Sequence, residues 1–379
     1  MPDSLIGQAR LIAWGGLVAL TLALTTPARA QIKMAVAGPF SGPNAAFGMQ
    51  LKNGASLAIA DINASGGILG ERIAVSIGDD VSDPREAVSL ANKFAGQGVT
   101  FVIGHFNSGT TIPASDIYKE SGILVISPAS TSPKVTDRGL WNVFRTCGRD
   151  DQQGAVAAAY ILKNFAGRRI AIVHDKTTYG QGLAEETRKA LAAGGISEAL
   201  FEGIIVGTKD FSSLALKIKA AGADLVYYGG THVEAALLLR QMRGQGVTAP
   251  MMAADGITDD DFAAIAGPAA EGTLMTYGPD PRKRPEAAAV VAKFRARNFE
   301  PQAYTLYSYA AVEIIRQAAE QANSLDPRKV ADVIHSGRAF STVIGPLRYD
   351  RKGDVTSPAY VMYVWKKTET GKITYVELE

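Results

Sequence analysis

The sequence predicts an α/β protein of two lobes, each a mostly parallel sheet flanked by helices. Three observations lead there. The chain has 379 residues, too many for one ordinary hydrophobic core and enough for two. From Ile32 onward, short β-branched runs alternate with longer segments of helical period, as parallel strands joined by crossover helices require. That alternation runs through twice, with strand-like pieces left near the end to return to either half.

In the first half, residues 32–37 read as a strand and 45–60 as a helix with apolar positions at 47, 51, 55, 58 and 59. A strand at 72–77 precedes a helix at 84–94, where Pro84 suits a first helical turn. Strands at 100–103 and 123–126 bracket a helix at 111–118. The second half repeats the pattern: helix 152–165, strand 169–174, helix 182–193, strand 199–206, helix 211–220, strand 224–228 and helix 232–243, then strands at 251–254 and 273–276. Beyond a charged, proline-punctuated loop at 279–285 come helices at 287–298, 303–322 and 327–336. Strand-like pieces at 347–349, 360–364 and 373–376 close the chain.

The first thirty residues stand apart. Arg10 precedes an apolar run over 11–24, and Ala28 and Ala30 form a small-residue cleavage site. This predicts a secretory signal peptide at 1–30, the run being short of the roughly 20 apolar residues of a membrane span. The remainder, 47% hydrophobic and 20% charged over the whole chain, has an ordinary globular composition. A net charge of +2 gives no reason to expect nucleic acid as a partner. Cys147 is the single cysteine, so no internal disulfide is available, and it reads as a buried, inert thiol.

Catalytic signatures fail. There is no G-x-S-x-G elbow, Walker A sequence, G-x-G-x-x-G, H-E-x-x-H or paired-cysteine metal motif, and the four histidines have no ligand-like spacing. No enzyme, metal or cofactor is expected. Polar, glycine-rich connections after strands remain, where open α/β sheets bind ligands. Residues 104–111 leave a strand and open a helix, so Ser108 and the backbone amides there suit a carboxylate. The competing reading is an ordinary helix cap. Residues 127–133 add hydroxyls without charge. In the second half, Asp255 in an Asp-Gly turn would suit an ammonium group across a cleft, although a turn Asp is the commoner role.

The motifs Gly38-Pro39-Phe40-Ser41-Gly42-Pro43, Asp61-Ile62-Asn63-Ala64-Ser65-Gly66-Gly67-Ile68 and Pro113-Ala114-Ser115-Asp116-Ile117-Tyr118 resemble the periplasmic Leu/Ile/Val-binding proteins. So do Ile170-Ala171-Ile172-Val173-His174-Asp175-Lys176, Lys209-Asp210-Phe211-Ser212, Val226-Tyr227-Tyr228-Gly229-Gly230 and Thr342-Val343-Ile344-Gly345-Pro346-Leu347. The resemblance implies the two-lobed type I periplasmic binding protein fold, with three hinge crossings and a cleft that closes on its ligand. Lobe 1 would comprise 31–149 and 279–355, lobe 2 150–278 and 356–379. By the same resemblance, Ser108, Ala129 and Thr131 hold the ligand's α-carboxylate and α-ammonium, and Tyr179 forms an aromatic wall. Asp255 stands where leucine-binding members have Glu, and Phe47 and Tyr304 line the side-chain pocket. Thr231 replaces an aromatic residue, which leaves that wall smaller.

The expected function is that of an extracytoplasmic solute-binding protein of an ABC importer. It would be a periplasmic monomer that takes a small branched-chain or aliphatic amino acid to an inner-membrane permease. A short amide, urea or an aromatic acid in the same fold is the alternative.

Overall fold

The computed structural model describes residues 31–378; the expected signal peptide lies outside them. The chain runs β1 (Gln31–Gly38), α1 (Ala45–Ala64), β2 (Arg72–Asp79), α2 (Pro84–Gly96), β3 (Phe101–Ile103), α3 (Ser108–Glu120), β4 (Leu124–Ser127) and β5 (Val143–Arg145). It continues through α4 (Asp150–Asn164), β6 (Ile170–His174), α5 (Thr178–Ala193), β7 (Leu200–Gly203), α6 (Ser212–Ala220), β8 (Leu225–Gly229), α7 (His232–Gly244) and β9 (Met251–Ala253). Then come α8 (Asp261–Ala266), β10 (Leu274–Tyr277), α9 (Ala288–Arg295), α10 (Thr305–Ala322), α11 (Pro327–His335), β11 (Phe340–Thr342), β12 (Gly345–Leu347), β13 (Val361–Lys367) and β14 (Ile373–Glu377).

The strands form two main sheets, one per lobe. The first has the order β2-β1-β3-β4-β5 with every pairing parallel. The second has the order β14-β13-β10-β9-β8-β6-β7, parallel from β7 to β10, with β13 and β14 added antiparallel at one edge. Parallel strands covered by helices on both faces are apolar almost throughout, and β3, β4, β6 and β8 are buried at every position. The chain passes between the sheets three times: after β5, after β10 and before β13.

The late helices complete the first sheet. Leu306, Ile314 and Ile315 of α10 share one core with Met34, Val36, Phe101 and Ile126 of β1, β3 and β4. Asp83 caps α2 by accepting from Arg85 N–H, and Pro84 follows in its first turn, as expected. Four local expectations differ. Strand β5 and helix α8 were not foreseen. The strand expected over 199–206 stops at Gly203, and Ile205 beyond it is 68% exposed. The piece expected at 347–349 is a hairpin, β11 with β12, and Tyr349 makes only an isolated bridge to Val355.

Candidate functional site

Reading β6, β8, β9 and β10 as the counterparts of β1, β3, β4 and β5 gives both sheets the same strand order, which reverses direction beside the first strand of each set. Loops at the carboxyl ends of strands flanking such a reversal diverge to opposite faces and leave a crevice. In the first lobe these ends lead to Phe47 of α1 and to Phe106 after β3. The two rings stack with centroids 4.5 Å apart and planes at 13°. In the second lobe they lead to Tyr179 of α5 and Thr231 before α7.

One cavity gathers most of the expected residues: Ser108, Ala129, Tyr179, Thr231, Asp255 and Tyr304, together with Phe106. Phe47 lies behind Phe106, its ring 5.9 Å from that of Tyr304. Thr131 is buried, and its hydroxyl faces the Asp150 carboxylate. Ser108 is the first residue of α3 rather than its cap. Its hydroxyl accepts from the Ser132 N–H at 3.2 Å, tying the two first-lobe loops together.

Asp255 opens a short 3-10 turn after β9 and is 3% exposed. Tyr179 of the second lobe donates to its Oδ1 at 2.7 Å, and Tyr304, beside α10 of the first lobe, donates to its Oδ2 at 2.6 Å. The carboxylate therefore bridges the lobes. Burial pushes its pKa up and the two hydroxyl donors oppose this, leaving it above the usual carboxylate range. Burial and the nearby Asp255 charge raise both tyrosines well beyond their ordinary range, so they remain neutral donors. Gly256 is needed for this geometry, since a Cβ there would lie 2.3 Å from the Gly230 carbonyl oxygen and 3.0 Å from the Tyr179 hydroxyl. Gln50 of α1 adds a second link, donating to Asp259 Oδ2 at 3.0 Å and accepting from Tyr304 N–H at 3.0 Å.

Sequence reasoning missed Phe106 and Asn107, and the signal for Phe106 was faint: one apolar residue inside a glycine-rich polar loop. Cys147 is buried, and burial drives its thiol far above the ordinary range, so it stays protonated. Among the described residues no cluster of His, Cys, Asp and Glu could hold a metal ion, and no helix is long and apolar enough to cross a membrane.

Two doubly wound lobes thus line one crevice from both sides, at the place where open α/β sheets bind ligands. The chain belongs to the periplasmic binding protein family, whose model matches residues 31–370. It is 55% identical over 372 residues to the Leu/Ile/Val-binding protein homolog 1 of Brucella melitensis, covering 98% of each chain. A leucine-binding protein of Thermotoga maritima shares its fold with a TM-score of 0.84 at 28% identity, over 91% of this chain and 97% of that one. A branched-chain amino acid substrate-binding protein of Streptococcus pneumoniae, solved with isoleucine, gives 0.81 at 25% identity, over 92% and 100%.

Proposed function

We propose that this chain is a periplasmic solute-binding protein of an ABC importer, and that it binds a small aliphatic or branched-chain amino acid between its lobes and hands it to an inner-membrane permease. The observation that carries this is Asp255: a buried carboxylate reached from both lobes by hydroxyl groups but, among the described residues, by no basic side chain. A buried charge needs a partner, and an α-ammonium supplies one. Ser108, Thr131 and the amides at the start of α3 then take the α-carboxylate, while Ala129 and Tyr179 close the sides. Phe47, Phe106, Tyr304 and Thr231 bound the side-chain space, and three aromatic rings there favour short chains over long ones. The names of the relatives above agree with an amino-acid ligand, and urea or an aromatic acid would leave Asp255 uncompensated.

The protein works as a monomer without cofactor or catalytic step, contacting its permease transiently. Its lobes comprise 31–149 with 279–355, and 150–278 with 356–379, and ligand draws them together by hinge closure. A thermal-shift screen of the twenty amino acids, short amides, urea and aromatic acids tests the assignment. A ligand at a hundred times its Kd adds about 2.7 kcal/mol of stability. Response to an amide or aromatic acid alone would overturn the amino-acid reading.

A further inference from the structure

Asp150, the first residue of α4, is a second buried acid, within electrostatic reach of Asp255 and tied to the loop that carries Thr131. Its side chain is fully buried, and among the described residues no basic side chain bonds either carboxylate oxygen, the Thr131 hydroxyl being the polar group set against it. A first-turn acid ordinarily serves the helix end, but Asp151 does that here. Asp151 Oδ1 accepts from Gln152 N–H at 3.0 Å, and its carboxylate pairs with Arg149 at 2.9 Å. Asp150 is instead tied to the ligand loop, since its N–H donates to the Thr131 carbonyl at 2.9 Å. One turn on, Gln153 donates to the Thr276 carbonyl of β10 at 2.8 Å, which seats this end of α4 against the second sheet.

Among the described residues, the groups that surround Asp150 supply no free cation. They are Asp255 after β9, Arg145 of β5, Cys147, Asp151, Tyr179 of α5, Tyr227 of β8 and Tyr360 before β13. Arg145 is committed elsewhere: it donates to Asp354 at 2.6 Å and to the carbonyls of Ser130 and Ser132 at 2.8 and 3.1 Å. Arg149 is held by Asp137, Asp151 and Asp354. Two buried carboxylates within electrostatic reach of one another cannot both ionise without a counter-charge. Burial, followed by the charge of Asp255, holds the Asp150 carboxyl well above the usual range.

We propose that Asp150 and Asp255 together hold one exchangeable proton in the ligand-free protein, and that an incoming ammonium group displaces it. This rests on the amino-acid reading above and extends it: capture of an amine-bearing ligand releases a proton to solvent. No covalent bond between heavy atoms changes. The proton passes from a carboxyl oxygen to water, the ammonium keeps its three hydrogens, and one positive charge replaces another. The pair of acids then selects primary ammonium groups, which carry enough donors for two carboxylates, over N-acylated or quaternary analogues. Below the titration of the free pair, the association constant rises about tenfold per pH unit, and above it the dependence levels off.

The test is calorimetric titration of the full mature protein with L-valine and L-alanine, in buffers of contrasting ionisation enthalpy, between about pH 4 and pH 8. The expected result is close to one proton released per ligand at the lower pH values, with affinity rising with pH. Asp150→Asn should abolish the release, flatten the pH profile and lower affinity on the upper plateau about tenfold. Asp150→Ser serves if the amide variant does not fold, and Asp151→Asn should leave proton release unchanged. Binding with identical heats in every buffer and a flat pH profile overturns the proton displacement alone. No binding of either amino acid, or of any other in the thermal screen, overturns the functional reading and this inference with it.

Discussion

Asp354 and Asp255 are buried to almost the same degree, 4% and 3% exposed, yet they have opposite surroundings. Asp354 receives Arg145 Nε at 2.6 Å, Arg149 Nη1 at 2.8 Å and the Thr136 hydroxyl at 2.8 Å. Although burial pushes its carboxyl up, the neighbouring guanidinium groups win and hold it below the usual range. Asp255 receives two phenol hydroxyls and no cation, and its carboxyl stays raised. Burial alone therefore does not say what a charge is for. The site that closes its own charge balance holds the fold, and the one left open is available to a ligand.

The largest expected effect separates the two directly. Asp354→Ala strands the Arg145 guanidinium in the core and should cost about 3–5 kcal/mol of stability, measured by urea unfolding, with affinity per folded molecule unchanged. Asp255→Ala should do the reverse. Ligand-free stability holds or rises, while amino-acid affinity falls by about 2–5 kcal/mol, roughly thirtyfold to a few thousandfold. Undiminished binding by calorimetry would put Asp255 in the structural class.

A smaller effect tests the opposite wall. Ser108→Ala should weaken every amino-acid ligand alike, by about tenfold for a lost hydrogen bond to a charged group. Phe106→Leu should instead reorder the ligands in favour of longer side chains. A changed ranking with Ser108→Ala would break that division of labour.

The smallest effect is in pH dependence. The contribution of Asp354 is present above its unfolded pKa of about 3.9 and is lost as pH falls through its lower folded value. Asp255, raised on folding, contributes in the other sense: its share is complete below the unfolded pKa and is lost as pH rises through the folded one. Asp255→Asn should flatten that decline in ligand-free unfolding curves and leave the acid limb governed by Asp354 intact.

The alternation that predicted two sheets was legible because strands covered on both faces must be apolar along their length. Strand β5 escaped because its three residues end on Arg145, and a fully buried arginine reads as surface until Asp354, 209 positions away, is seen beside it. In the site, Ser108 and Asp255 were visible as polar residues in loops after strands. Tyr179 also lay in a connection after a strand, but its role as a wall, like the positions of Thr231 and Tyr304, came through resemblance to known binding proteins. Asp150 went unremarked because a first-turn acid on a helix is unexceptional in sequence. Only the arrangement of Asp151 and Thr131 around it shows that the helix does not use it.

Both lobes are finished late in the order of synthesis. The second gains β13 on β10 only after the intervening residues 278–360 have been made. The first lacks the α10 face of its core until that helix follows every strand of the second sheet from β6 to β10. A nascent chain that has reached Tyr277 thus holds two exposed half-cores and no finished lobe, and folding waits on the last elements to emerge. For a protein proposed to be exported, discontinuity in the fold acts as a clock. Completion of either lobe waits on residues near the end of the chain, and stop codons ahead of α10 should leave two unfinished lobes rather than one good one.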